Sequence, residues 1–229
     1  MATAGLVGGL GPETTIDYYR RIIAGWQARE PASAPSIVID SIDVKEVFRL
    51  VAADRAGLAD YLSTSIDRLA RAGADFAAIT ANMPHLVFDA VESRSSIPLI
   101  SIVTTCAREA ERRAMRRVAL LGTRFTMEAA MYPDGLGRLG IDTVIPDEPE
   151  RAFIHEHYEG EMIRGVFRED VRDRVISIVD RIRTTEHIDG VLLGGTELGL
   201  LLPFEQIAGV PVLNTTVLHV DAIVERLRA

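Results

Sequence analysis

Short apolar runs, each ending in a polar or glycine-rich turn and followed by an amphipathic stretch, recur along almost the whole chain. Ala4-Gly5-Leu6-Val7, Ile37-Val38-Ile39-Asp40, Phe76 to Thr80 and Pro98-Leu99-Ile100 mark four strands in the first half. Arg117 to Leu121, Asp142 to Ile145, Gly190 to Leu193 and Val210 to Leu213 mark four more. Runs of three to five mostly apolar residues, too short for helices, suit strands buried on both faces of a parallel sheet. Between them lie helical patterns: Glu13–Gln27 with Ile16, Tyr19, Ile22, Ile23 and Trp26 on one face, Leu58–Ala72 with Leu58, Tyr61, Leu62, Ser65 and Leu69 inward, and Cys106–Met115. A further helix is expected to end near Tyr132-Pro133, Pro146-Asp147-Glu148-Pro149 to open a loop, and helices to follow over 150–164, 169–183 and 216–228. Strand–helix alternation implies parallel sheets with right-handed crossovers.

The pattern occurs twice. We expect an α/β protein of two similar Rossmann-like lobes, the first comprising 1–100 with 210–229 and the second 101–209. No linker rich in proline, glycine and serine separates them. Ligands of open α/β sheets sit beyond the C-terminal strand ends, which directs attention to four turns. They are Gly8-Gly9-Leu10-Gly11-Pro12, Thr80-Ala81-Asn82-Met83-Pro84-His85, Gly122-Thr123-Arg124-Phe125-Thr126 and Gly194-Gly195-Thr196-Glu197. The first sits between a strand and a helix start, where free N–H groups favour an anion. It lacks both GxGxxG spacing and the Lys-Ser/Thr of a nucleotide loop.

Composition narrows the function. A net charge of −8 and pI of about 5.2 argue against a nucleic-acid or anionic-membrane surface. No apolar stretch approaches a membrane span. The single cysteine, Cys106, excludes an internal disulfide and is expected to be packing. A cytoplasmic location follows as the expectation, with no room for a signal peptide before the first strand. His155 and His157 lie two apart on a helix and share no face, so no metal is expected. The run Arg108, Arg112, Arg113, Arg116 and Arg117, interleaved with Glu109 and Glu111, reads as a solvated face.

Four motifs in order carry a resemblance: Gly8-Gly9-x-Gly11-Pro12, Asn82-x-Pro84-His85, Leu121-Gly122-Thr123 and Leu193-Gly194-x-Thr196-Glu197. The chain resembles the aspartate/glutamate racemase superfamily, whose relatives include hydantoin racemases, maleate isomerases and arylmalonate decarboxylases. The resemblance implies pseudo-twofold-related lobes with an active site in the cleft between them, a homodimer, and chemistry without PLP or metal. It also implies two thiols, one removing the Cα proton and one delivering a proton to the opposite face. In this sequence those two positions hold Ala81 and Gly195, and Met83 replaces the usual threonine. Asn82, Thr123 and Thr196 match residues that hold the substrate carboxylate, with Gly9 and Met83 beside them. Arg164, Lys45 and Arg49 are candidates to supply a cation.

With no cysteine pair, the two-thiol mechanism cannot operate. Glu197 and His85 are the remaining acid–base candidates, with Thr80 or Thr196 as orienting hydroxyls. Against each stands a structural role: Glu197 as a cap or hydrogen-bonding partner, His85 as a first-turn packing residue, and Thr80 turned to the far face by strand alternation. Three readings remain: an isomerase-type enzyme using other groups on a small amino acid or carboxylate, a binder that does not turn its ligand over, and an enzyme inactivated by substitution. A lyase or decarboxylase reaction on the same scaffold is a variant of the first.

Overall fold

The computed structural model describes residues 2–229. It divides into two compact units, one running through Ile102 and adding His219–Ala229, the other Val103–Leu218. The first contains β1 (Thr3–Gly8), α1 (Pro12–Gln27), β2 (Ser36–Ser41), α2 (Val44–Ala53), α3 (Arg55–Arg71), β3 (Phe76–Ile79), a 3-10 segment (Met83–Val87), α4 (Phe88–Glu92) and β4 (Leu99–Ile100). Its strands run in the order β2-β1-β3-β4, all parallel. The central strands are buried on both faces, which is why they read as unbroken apolar runs. Successive side chains alternate between two cores. Val7, Ala77 and Ile79 meet Leu58, Leu62, Ile66 and Leu69 of α3 on one side. Leu6, Phe76 and Ala78 meet Tyr18, Ile22 and Trp26 of α1 and Val220, Ile223 and Val224 on the other.

The second unit contains most of α5 (Ile102–Arg112), then β5 (Arg117–Gly122), α6 (Arg124–Glu128), α7 (Met131–Gly137), β6 (Asp142–Val144), α8 (Glu148–Gly160), a 3-10 segment (Met162–Arg164), α9 (Glu169–Glu186), β7 (Gly190–Gly194), α10 (Leu198–Leu201), β8 (Gln206–Ile207) and β9 (Val210–Asn214). The final helix, α11 (Thr215–Arg228), begins here and ends in the first unit. The sheet order is β6-β5-β7-β9-β8, parallel except for the β8 edge. Counting its parallel strands alone, β6-β5-β7-β9, this sheet repeats the second-first-third-fourth order of the other. The α/β class with two parallel sheets is as expected.

Several boundaries differ from expectation. Residues 210–218 belong to the second unit rather than the first, because β9 pairs with β7, Leu192 opposite Leu213. Only the later part of α11 returns to the first core. The segment containing Tyr132-Pro133 opens α7 rather than closing a helix. Proline is accommodated in a first turn, whose N–H groups have no partner within the helix. Pro149 likewise lies in the first turn of α8, with Asp147 as its cap and Glu150 completing a capping box. Helix α2, capped by Asp43, and the edge strand β8 went unforeseen.

The buried face of α1 is Thr14, Tyr18, Ile22 and Trp26, while Ile16 and Tyr19 are exposed. Tyr18 is buried because its hydroxyl has a partner, donating to Nδ1 of His219 at 3.0 Å; a buried tyrosine without one would lose a hydrogen bond made in water. Truncating Tyr18 to alanine is expected to lower unfolding stability by about 3–5 kcal/mol. Tyr19→Ala should change it by less than about 0.5 kcal/mol. Urea midpoints of the two variants decide which tyrosine faces the core.

Candidate functional site

In the first unit, Val7 of β1 pairs with Ile79 of β3, so the glycine-rich turn and the Thr80–His85 turn leave adjacent strand ends. The glycine turn is committed to the chain itself. Gly9 has a positive φ of 81° and donates its N–H to Oγ1 of Thr15 at 2.9 Å. A Cβ at this position would run into the Ile42 backbone, so close approach also dictates glycine here.

The Thr80–His85 turn is likewise tied down. Thr80 is fully buried, and its hydroxyl and N–H both donate to the Val7 carbonyl, at 2.9 and 3.1 Å. Asn82 is buried and its carbonyl receives the His85 N–H. Met83 is half-buried against the first core.

His85 takes the structural role that stood against the catalytic one. It is buried, its Nδ1 lies 2.9 Å from the Ala81 carbonyl, and its Nε2 accepts the N–H of Ile102 at 3.2 Å. These partners require a neutral ring with the proton on Nδ1. The ring stacks on Phe88 at 5.1 Å, and the His219 ring meets it edge-on at 6.2 Å. His219 is the same kind of residue: Nε2 donates to the Ile100 carbonyl at 2.9 Å while Nδ1 accepts from Tyr18. Burial, followed by the neighbouring His219, lowers His85 to about 3. Burial lowers His219 to about 4. His85 therefore staples the turn to the start of α5, and neither ring nitrogen is open to a ligand.

In the second unit, Gly122 pairs with Gly194, so Thr123 and Gly195 follow directly at adjacent strand ends. Oγ1 of Thr123 accepts the Thr126 N–H at 3.3 Å and caps α6. Strand β7 is buried throughout and delivers Gly195, Thr196 and Glu197 in sequence. Glu197 is buried, and its Oε2 receives the Thr196 hydroxyl at 2.6 Å and the Tyr158 hydroxyl.

Tyr158 is the residue that sequence reasoning missed. It lies on α8 in an inward-facing stripe of residues spaced four apart, Glu150, Ile154 and Tyr158. Glu150 anchors the stripe through Nε and Nη2 of Arg181. A Cβ on Gly195 would come within 2.6, 2.8 and 3.0 Å of Tyr158 Cε2, Oη and Cζ. Gly195 does not have a positive φ, so the constraint here is one of space rather than of conformation. The phenol occupies the volume into which a side chain at 195 would extend. Burial and the Glu197 charge push its pKa well above the usual tyrosine range, so it is protonated at neutral pH.

The candidate cations lie on the surface. Lys45 and Arg49 project from α2, Arg49 paired with Glu46 at 2.7 Å. Arg164 is exposed in the 3-10 segment after α8 and forms no ion pair among the described residues. Cys106 is fully buried, and burial pushes its thiol far above the ordinary range, as packing requires. His155 and His157 pair with separate carboxylates, Glu159 at 3.7 Å and Glu161 at 3.0 Å.

A profile of the Asp/Glu/hydantoin racemase family matches residues 7–223. The chain belongs to that family. The solved structure of a candidate Asp/Glu racemase from Yersinia pestis superposes on this family member with a TM-score of 0.93 and 31% identity, covering 100% of both chains. An aspartate racemase homologue from Pyrococcus horikoshii OT3 gives a TM-score of 0.88 and 32% identity, again over 100% of both. The broad specificity amino-acid racemase RacX of Bacillus subtilis (strain 168) is 26% identical over 156 residues, 65% of this chain and 66% of RacX, just under two thirds of that relative. No helix of this racemase-family chain, among the described residues, is long and apolar enough to cross a membrane.

The two buried histidines make a signed prediction. Unfolded imidazoles titrate near 6.5, and in the folded chain these titrate at about 3 and about 4. Between those limits the unfolded chain binds protons that the folded chain does not. Their contribution is therefore complete above pH 6.5 and is lost as pH falls toward 4, at about 1.4 kcal/mol per pH unit for each. His219→Gln should remove about that much from the slope between pH 6 and 4.5, measured by urea unfolding at several pH values. An unchanged slope would mean that His219 is not held neutral.

Proposed function

We propose that this racemase-family chain is a cofactor-independent enzyme of the isomerase type. It moves a proton on the carbon beside a carboxylate in a small amino acid or carboxylic acid, without a thiol pair. The observation that carries this reading is the Glu197 carboxylate, buried at the end of β7 and hydrogen-bonded by Thr196 and Tyr158. A buried carboxylate with ordered donors is the kind of group that serves as a general base. Whole-length identity above 30% to two racemase-like structures supports the substrate class.

In this reading Asn82, Thr123 and Thr196 bind the substrate carboxylate, with Gly9 and Met83 beside it. Arg164, Lys45 and Arg49, which have exposed heads, supply positive charge to an anionic ligand. The reaction asks nothing of PLP or a metal. A cytoplasmic homodimer is part of the proposal, and light scattering of the purified protein reports the dimer.

A second reading has its own observation. The other turn offers Ala81, without a titratable group, and His85, with both nitrogens engaged. That asymmetry suits a carboxylate binder that does not turn its ligand over, or one-sided proton delivery in a lyase-type reaction. Incubation of a panel of amino acids and dicarboxylates in D2O, read by proton NMR, separates these readings. The enzyme reading predicts loss of the Cα proton signal or conversion for at least one ligand that binds. Binding with neither leaves the silent binder; release of CO2 with one deuterium gained identifies the lyase.

A further inference from the structure

The Tyr158 phenol stands where a side chain of residue 195 would lie, and nothing in the family resemblance assigns it a role. We propose that Tyr158 is the proton carrier at the end of β7, relaying between the substrate carbon and Glu197. This inference deepens the proposed function and rests on that reading. Three observations converge on it. The hydroxyl is 2.8 Å from the position of a Cβ on Gly195, so it reaches the place that a side chain at 195 would serve. It already donates to Oε2 of Glu197, so a proton path exists. Thr196 holds the same oxygen at 2.6 Å, which fixes the carboxylate as acceptor.

The step balances without a co-reactant. The Cα–H bond of a carboxylate substrate breaks and its electron pair enters the enediolate of the adjacent carboxylate. The proton passes to Oη of Tyr158 as the phenolic proton moves along the existing hydrogen bond to Glu197. The phenol is regenerated, Glu197 becomes a carboxylic acid, and the total charge is unchanged. The reverse relay returns a proton to the same face of the carbon, which is the Cα-exchange half of the reaction; inversion takes its second proton from the opposite face. Burial and the neighbouring carboxylate oppose a free phenolate, so the phenol works by simultaneous gain and loss of a proton. The substrate class is a small carbon acid bearing a carboxylate.

A purely structural Tyr158 would only tie α8 to the turn before α10, and the test is chosen to separate the two roles. Wild type, Tyr158→Phe and a protein carrying 3-fluorotyrosine at position 158 are compared in Cα-proton exchange in D2O, using the ligand on which the wild type acts. Tyr158→Phe is expected to lose at least about 100-fold in kcat, the scale of general acid–base catalysis, with KM changed less than about threefold. The fluorinated phenol keeps its ring and hydroxyl but is a stronger proton donor and a weaker acceptor, so kcat should change by at least about threefold with KM nearly unchanged. Should Tyr158→Phe fail to fold, the fluorotyrosine kcat decides alone. Wild-type exchange with Tyr158→Phe within threefold, or a fluorotyrosine kcat equal to that of the wild type, overturns the relay and leaves the proposed function standing. No wild-type exchange with any bound ligand overturns both.

Discussion

The tyrosine ring of α8 and a side chain at residue 195 exclude each other. With a hypothetical Cβ at 2.6 Å from the ring, one of the two must give way, and this chain retains the tyrosine. The ring is held from several directions. A capping box starts α8, Glu150 pairs with Arg181 of α9, Ile154 shares the core cluster with the ring, and Glu197 accepts the hydroxyl. Relaxing the clash by moving Tyr158 would disturb a dense core and remove one of the donors to a buried carboxylate, both costly. The missing side chain at 195 is thus one half of a local arrangement whose other half lies 37 residues earlier in the chain.

The same topology carries different chemistry in the two units. After β3 the turn closes on itself: Thr80 is bonded to Val7, and His85 spans from Ala81 to the start of α5. A neutral imidazole with both nitrogens used supplies geometry. After β7 the turn presents a carboxylate with two hydroxyl donors converging on one oxygen. Strand ends repeat, while the capacity to exchange protons is concentrated at one of them.

Much of the fold was legible because buried parallel strands are short apolar runs wherever they occur. Phe76–Ile79 and Gly190–Gly194 are buried throughout and could be read residue by residue. Errors arose where the deciding partner is remote. Periodicity could not choose between Tyr18 and Tyr19, because the choice is made by a histidine 201 residues away. The assignment of β9 depended on pairing with β7, which no local pattern encodes. At the site, Glu197 was identifiable from its turn, but Gly195 read as a deletion of function. Only Tyr158, reached through the inward-facing stripe of α8, explains it. A glycine at a position expected to be functional, together with an inward aromatic on a nearby predicted helix, is the signal that could have found the pair.

The exclusion of a side chain at 195 by Tyr158 is a thermodynamic coupling and can be measured as one. A double-mutant cycle of Gly195→Ala and Tyr158→Ala, followed by urea unfolding, isolates it. Gly195→Ala alone should destabilise by about 1–3 kcal/mol, the usual cost of overpacking. In the Tyr158→Ala background, where the ring is gone, that cost should disappear. Equal costs of Gly195→Ala in both backgrounds would show that the ring does not occupy the space beside residue 195, and the account built on it would fall.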